Sequence, residues 1–218
     1  MPKFFKDNGL TIVFTFLFLI TLAGQAYTGL QEHNKEMQDL GGQAIGMGKY
    51  LTSGHFLQST FENWESEFLQ MGLYVVLTIF LFQKGSSESK DPEKREPVDR
   101  KEIPHRPDAP WPVKQGGIAL ALYRHSLSIV LFILFALSFI VHFNGSLRDE
   151  HEEQLLKGED LTPAGDYIFS SRFWFECFQN WQSEFLSVVA IVVLSIFLRQ
   201  KGSPQSKPVD EAHKKTGD

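Results

Sequence analysis

The stretch FENWESEFL, residues 61–69, returns as FQNWQSEFL at residues 178–186, and each copy runs into an apolar segment that closes on QKGS. Working outward from these copies, adding 117 to a residue number carries the first half of the chain onto the second without a gap. Residues 61–90 and 178–207 share 19 identities in 30 positions. Among them are Asn63/Asn180, Trp64/Trp181, Ser66/Ser183, Glu67/Glu184 and Gly85/Gly202. The same offset pairs Leu10, Ile12, Val13, Leu17 and Phe18 with Leu127, Ile129, Val130, Leu134 and Phe135. Chance does not produce such a match, so each half reads as one unit: long apolar helix, polar loop, motif, second helix.

No Asp, Glu, Lys or Arg stands between Asp7 and Glu32, nor between Arg124 and Arg148. Uncharged runs of this length read as membrane spans. The apolar runs after the motif, 68–83 and 185–198, are shorter and cross a bilayer only by drawing in the motif itself. The predicted fold is therefore all-α: a polytopic membrane protein with four transmembrane helices, built from two tandem two-helix repeats. The repeats occupy 1–90 (helices about 9–30 and 63–83) and 118–207 (helices about 124–145 and 179–199). Between them, 91–117 is a charged, Pro-rich linker with too few apolar residues to fold alone, and 208–218 reads as a disordered tail. The opening residues also fit a signal peptide, with Lys3 and Lys6 ahead of the apolar core and Gly24-Gln25-Ala26 as a small-x-small site. Their counterpart, 126–147, is internal, so a retained helix is expected.

Orientation follows from the basic residues. Lys3 and Lys6, the nine Lys and Arg of 84–124, and the five of the tail fall on one side of the predicted helices. The opposite loops carry few basic residues and the acidic run Asp149, Glu150, Glu152 and Glu153. Both termini are expected on the cytoplasmic side. The net charge of −5 and the absence of a basic patch interleaved with aromatics exclude nucleic acid as a partner. The expected partners are membrane lipids, a second copy of the chain, or other membrane proteins. The single cysteine, Cys177, excludes an internal disulfide and reads as a buried, inert thiol.

A helix crosses the apolar core in about 20 residues. Counting back from 198 puts Trp181 in the head-group zone, where tryptophan anchors helices, and Trp64 likewise. The same count puts Glu67 and Glu184 inside the apolar boundary, where a carboxylate is costly unless neutral, paired or turned inward. Gln25 and His142, themselves 117 apart, reach the same depth on the preceding helices. The predicted site is a polar layer of Gln25, Glu67, His142 and Glu184, with Asn63 and Asn180 one turn above. Two readings compete. In one, these groups hydrogen-bond one another and fix helix register. In the other, Glu184 and His142 are a titrating pair for proton or cation movement.

Other chemistry is not signalled. A haem needs facing axial ligands, and only His142 lies well within an apolar run. His151 among Glu150, Glu152 and Glu153 reads as a solvated acidic face rather than an ion site. No phosphate loop, nucleophile elbow or zincin signature is present. No cofactor, no metal and no catalytic residue is expected, and the chain is not read as an enzyme.

The paired N-W-x-S-E-F-L motifs, each followed by an apolar helix and Q-K-G-S, resemble a family of small bacterial integral membrane proteins catalogued as a domain of unknown function. The resemblance covers nearly the whole chain and implies a bacterial cytoplasmic membrane; it carries no catalytic residue. The function expected is that of a structural or accessory membrane component. The alternative is a small proton- or cation-coupled transporter or channel that uses the Glu/His layer.

Overall fold

The computed structural model describes residues 3–217; the first two residues of the 1–90 segment and the last of the 208–218 tail lie outside them. The helices are α1 (Lys3–Asp7), α2 (Gly9–Asp39), α3 (Met47–Tyr50), α4 (Gly54–Phe80), α5 (Trp111–Gln115), α6 (Gly117–Arg124), α7 (Ser126–Lys157), α8 (Ala164–Tyr167) and α9 (Ser171–Phe197), with a 3-10 turn at Pro97–Asp99. No strand occurs among the described residues.

The four long helices contain no proline, so their hydrogen-bond ladders run unbroken. α2 ends where Gly41 turns to φ +83°, with the Gly42 amide on Met37 O at 2.7 Å and the Gly41 amide on Gln38 O at 3.0 Å. α7 ends in the same way: Gly158 takes φ +71°, and the Glu159 and Gly158 amides reach Gln154 O at 2.9 Å and Leu155 O at 3.3 Å. Both are Schellman closures, which need a residue without Cβ at the turning point.

Three helices, α2, α7 and α9, are long and apolar enough to cross a membrane. α4 has the same 27 residues as α9. It falls outside that set because Glu62, Glu65 and Glu67 occupy its first half and it stops at Phe80. The distribution of side chains inverts that of a water-soluble protein. Leu10, Phe14, Phe16, Ile133, Val189 and Leu194 are exposed, whereas His33, Thr60, Glu65, Ser66, His142 and Ser146 are buried. Helices that present apolar side chains outward and keep polar ones inward suit a lipid surround.

The chain packs as two compact units. The first comprises Met1–Glu62 and Phe139–Trp174. Tyr50, Tyr167 and Phe173 are its fully buried rings, and Phe143 meets Phe173 edge-on at 5.3 Å. Here the start of α4 crosses α7 on two glycines. A Cβ on Gly145 would stand 2.5 Å from the Gln58 amide nitrogen and 3.0 Å from Leu57, and one on Gly54 would overlap the Asp149 amide. Small residues at a crossing allow such backbone approach.

The second unit comprises Asn63–Ser138 and Phe175–Asp218. In it, Gly72 of α4 faces the Phe132 ring of α7, with 3.2 Å available to a Cβ. Below the helix ends, Ser86 and Ser195 share a buried hydrogen bond of 2.9 Å. The buried Lys207 ammonium donates to the carbonyls of Gly85 (2.5 Å), Lys215 (2.9 Å), His213 (3.1 Å) and Ala212 (3.4 Å). Thr216 Oγ1 accepts the Gly85 amide at 2.9 Å. The linker is held by exposed pairs, Lys90–Asp99 at 2.8 Å and a two-pronged Arg124–Glu102 contact at 2.6 and 2.9 Å.

Candidate functional site

Of the residues singled out by depth, the structure brings Glu67 and Glu184 together. Glu67 of α4 and Glu184 of α9 each stand just ahead of the apolar run of their helix, close enough for the two carboxyls to interact. Glu67 is exposed and Glu184 half-buried. Both come from the same position of the repeated motif.

The other members of the layer divide between the two units. In the first unit, the Gln25 amide reaches Ser59 Oγ and Thr60 Oγ1 at 3.5 and 3.4 Å. His142 is fully buried and lies 5.1 Å, ring to ring, from Phe173. In the second unit, Asn180 donates to Glu176 O at 3.0 Å and the Asn63 carbonyl accepts the Ser66 hydroxyl at 2.8 Å. Trp181 donates its indole N–H to Glu65 Oε1 at 3.1 Å and packs edge-on to Phe178 at 5.9 Å; Trp64 is half-buried. Cys177 is fully buried and forms no disulfide.

Glu65 is a functional candidate that the depth count passes over. It is fully buried, and the second copy of the motif has Gln182 in its place. A carboxylate present in one copy of an otherwise matching motif is the signal that identifies it.

The acidic run of α7 is not a solvated face. α7 continues as helix through it to Lys157, which puts Asp149, Glu150 and Glu153 on one side. Arg172, in the first turn of α9, donates to Asp149 at 2.6 Å, Glu150 at 2.6 Å and Glu153 at 2.9 Å. Asp149 is only 4% exposed. His151 bonds Thr162 O at 2.7 Å.

A second cluster lies at the start of α4. Tyr50 Oη and His55 Nδ1 are 3.0 Å apart, and His33 of α2 stacks near both, with ring centres 5.7 Å from Tyr50 and 5.1 Å from His55. Burial, then the charges of Asp149 and Glu36, push the Tyr50 phenol up to about 12. His55 precedes the segment 63–83 read as a span. Burial, then His33 and Arg172, hold it down at about 4 against the pull of Glu32 and Glu153. A histidine held below its ordinary value contributes stability that is present above about 6.5 and lost as the pH falls toward 4. The melting temperature of the metal-free protein in detergent should therefore drop across that window. His55→Gln should flatten the drop, and an unchanged acid limb in that variant would assign it to other groups.

An all-α chain with three helices long and apolar enough to cross a membrane, and a Glu67–Glu184 pair at matching positions of two motifs, defines a helical protein of membrane type. The chain belongs to the family described as Domain of unknown function (DUF6766), whose model matches residues 1–218. This is the kind of family to which the paired motifs point. No curated protein and no solved structure matches the chain.

Proposed function

We propose that this is a four-helix integral membrane protein, built from two tandem two-helix repeats, that serves as a structural or accessory component of the bacterial cytoplasmic membrane with both termini inside. The observation that carries the reading is the approach of Glu67 to Glu184, a clasp between α4 and α9 made by the repeated motif. In this reading α4 is the fourth span, its apolar part beginning at Phe68. The repeat is supported by features that recur at a spacing of 117: the glycine closures at Gly41 and Gly158, the one-turn helices α3 and α8, and the bounds of α4 and α9. Support also comes from the Gln83 and Gln200 amides, which bond Ser89 Oγ at 2.9 Å and Ser206 Oγ at 2.8 Å. Lipids, a second copy or other membrane proteins are the partners of such a component, and no catalytic role is assigned.

One feature of the pair favours a second reading, a proton- or cation-coupled transporter or channel: two ionisable groups stand together on helices read as spans. Flux across liposomes under an imposed pH gradient separates the two. A clasp tolerates Glu67→Gln/Glu184→Gln, because two amides still hydrogen-bond across helices, with stability within about 1 kcal/mol of wild type. The expected result is no proton flux in either protein. Flux in wild type that vanishes in a folded double variant would replace the clasp with a proton path.

A further inference from the structure

We infer that His33 and His55 form a binding site for a late first-row divalent cation, Zn²⁺ or Cu²⁺, with Tyr50 setting the orientation of His55. The first observation is an unsatisfied group. His33 is fully buried, and neither of its ring nitrogens has a hydrogen-bond partner among the described residues. Leaving a buried polar group unmatched costs about 1–3 kcal/mol. A ligand that accepts an imidazole lone pair removes that cost.

The second observation is geometric. A cation bound tetrahedrally by two imidazoles at about 2.0–2.1 Å holds their ring centres roughly 5 Å apart, and His33 and His55 stand at 5.1 Å. Tyr50 completes the pattern of an outer-shell partner. If Nδ1–H of His55 donates to the Tyr50 oxygen at 3.0 Å, the Nε2 lone pair of His55 is left for the metal, as in most histidine sites. Glu32 and Glu36 flank His33 on α2, and their charges are felt at His55 and Tyr50. They supply the negative field, and water completes the coordination. His55 is partly exposed, so an ion enters from its side. Paired imidazoles select zinc, copper or nickel over magnesium and calcium.

The third observation comes from the spacing of 117, which maps Gly29, His33, Tyr50 and His55 onto Ser146, Glu150, Tyr167 and Arg172. In the later set, Arg172 pairs with Glu150 at 2.6 Å and the Tyr167 hydroxyl bonds Ser146 at 2.6 Å. In the earlier set Gly29 has no hydroxyl to offer, and a Cβ there would overlap the Tyr50 oxygen, so the phenol turns to His55. One position is filled by an ion pair that carries its own counter-charge. The other holds two imidazoles, and a divalent cation supplies the charge that they lack.

The test uses the full chain in detergent, without a histidine tag, stripped by chelator and then equilibrated with Zn²⁺, Cu²⁺, Mg²⁺ or Ca²⁺ alone. Bound metal is measured by mass spectrometry and titration calorimetry. About one Zn²⁺ or Cu²⁺ per chain is expected, with no retention of Mg²⁺ or Ca²⁺ and weaker binding as acid protonates the imidazoles. The double change His33→Glu/His55→Arg installs the ion pair of the other half, so it should keep the helical signal while weakening binding more than about 100-fold. Tyr50→Phe should weaken it about 10-fold, in the range of outer-shell changes. Wild type that takes up no more metal than the double variant overturns the assignment. Should the variant fail to fold, X-ray absorption on zinc-loaded wild type decides: two imidazoles around the metal support the site, and fewer overturn it.

Discussion

Gly145→Leu is expected to prevent the protein from reaching its native fold. The Cβ of any larger residue at 145 would lie 2.5 Å from the backbone nitrogen of Gln58. That obstacle is backbone, not the flexible end of a side chain, so α4 and α7 must separate. The separation strips the neighbouring Gly54 of its approach to the Asp149 amide and loosens the rings of Tyr167 and Phe173 packed beside it. Overpacking ordinarily costs 1–3 kcal/mol, and a crossing with no yielding partner belongs at or above about 3 kcal/mol. Thermal unfolding in detergent should show either a melting temperature too low to measure or an aggregated product. Gly145→Ala should already be clearly destabilised. A wild-type melting curve for the leucine variant would mean that the two helices do not meet at these glycines.

The second large effect is expected at Arg172. Its guanidinium is held by three carboxylates, and Asp149 is almost wholly enclosed. Arg172→Met keeps the length of the side chain but strands Asp149, Glu150 and Glu153 beside one another. Removing one partner of a buried pair costs about 3–5 kcal/mol; with Arg172 itself about a third exposed, about 3 kcal/mol is expected. Acidification protonates the stranded carboxyls, so the gap between variant and wild type should narrow as the pH falls from 7 toward 4. Arg172→Lys should restore only part of the loss, because an ammonium cannot spread two nitrogens over three carboxylates. A gap that stays constant with pH would assign the loss to packing alone.

The contrast between these two sites shows which parts of the chain were legible beforehand. The apolar runs made α2, α7 and α9 readable as helices able to cross a membrane, because lack of charge over such lengths has few other uses. The Glu67–Glu184 pair was readable because the motif repeats and because depth can be counted from an apolar boundary. Arg172 was not: its carboxylates lie 19 to 23 residues earlier, and nothing local distinguishes a solvated acidic run from one wrapped around a cation. The cluster of His33, Tyr50 and His55 escaped for a related reason. Counting by bilayer thickness locates where the apolar part of a helix ends, not where the helix ends. α2 and α7 continue as helix to Asp39 and Lys157, and α4 begins at Gly54. The stretches that read as polar loops are thus largely helix, and helix gives their side chains fixed neighbours.

Lys207 has a consequence for the order in which the protein is made. Gly85 leaves the ribosome long before the residues that will satisfy it, since its carbonyl waits for Lys207 and its amide for Thr216. Until then the turn at 83–89 is a half-built socket. Contacts of such sequence separation close late, so the first helical pair stays provisional throughout translation. The turn locks only when residues 207–216 come back against it.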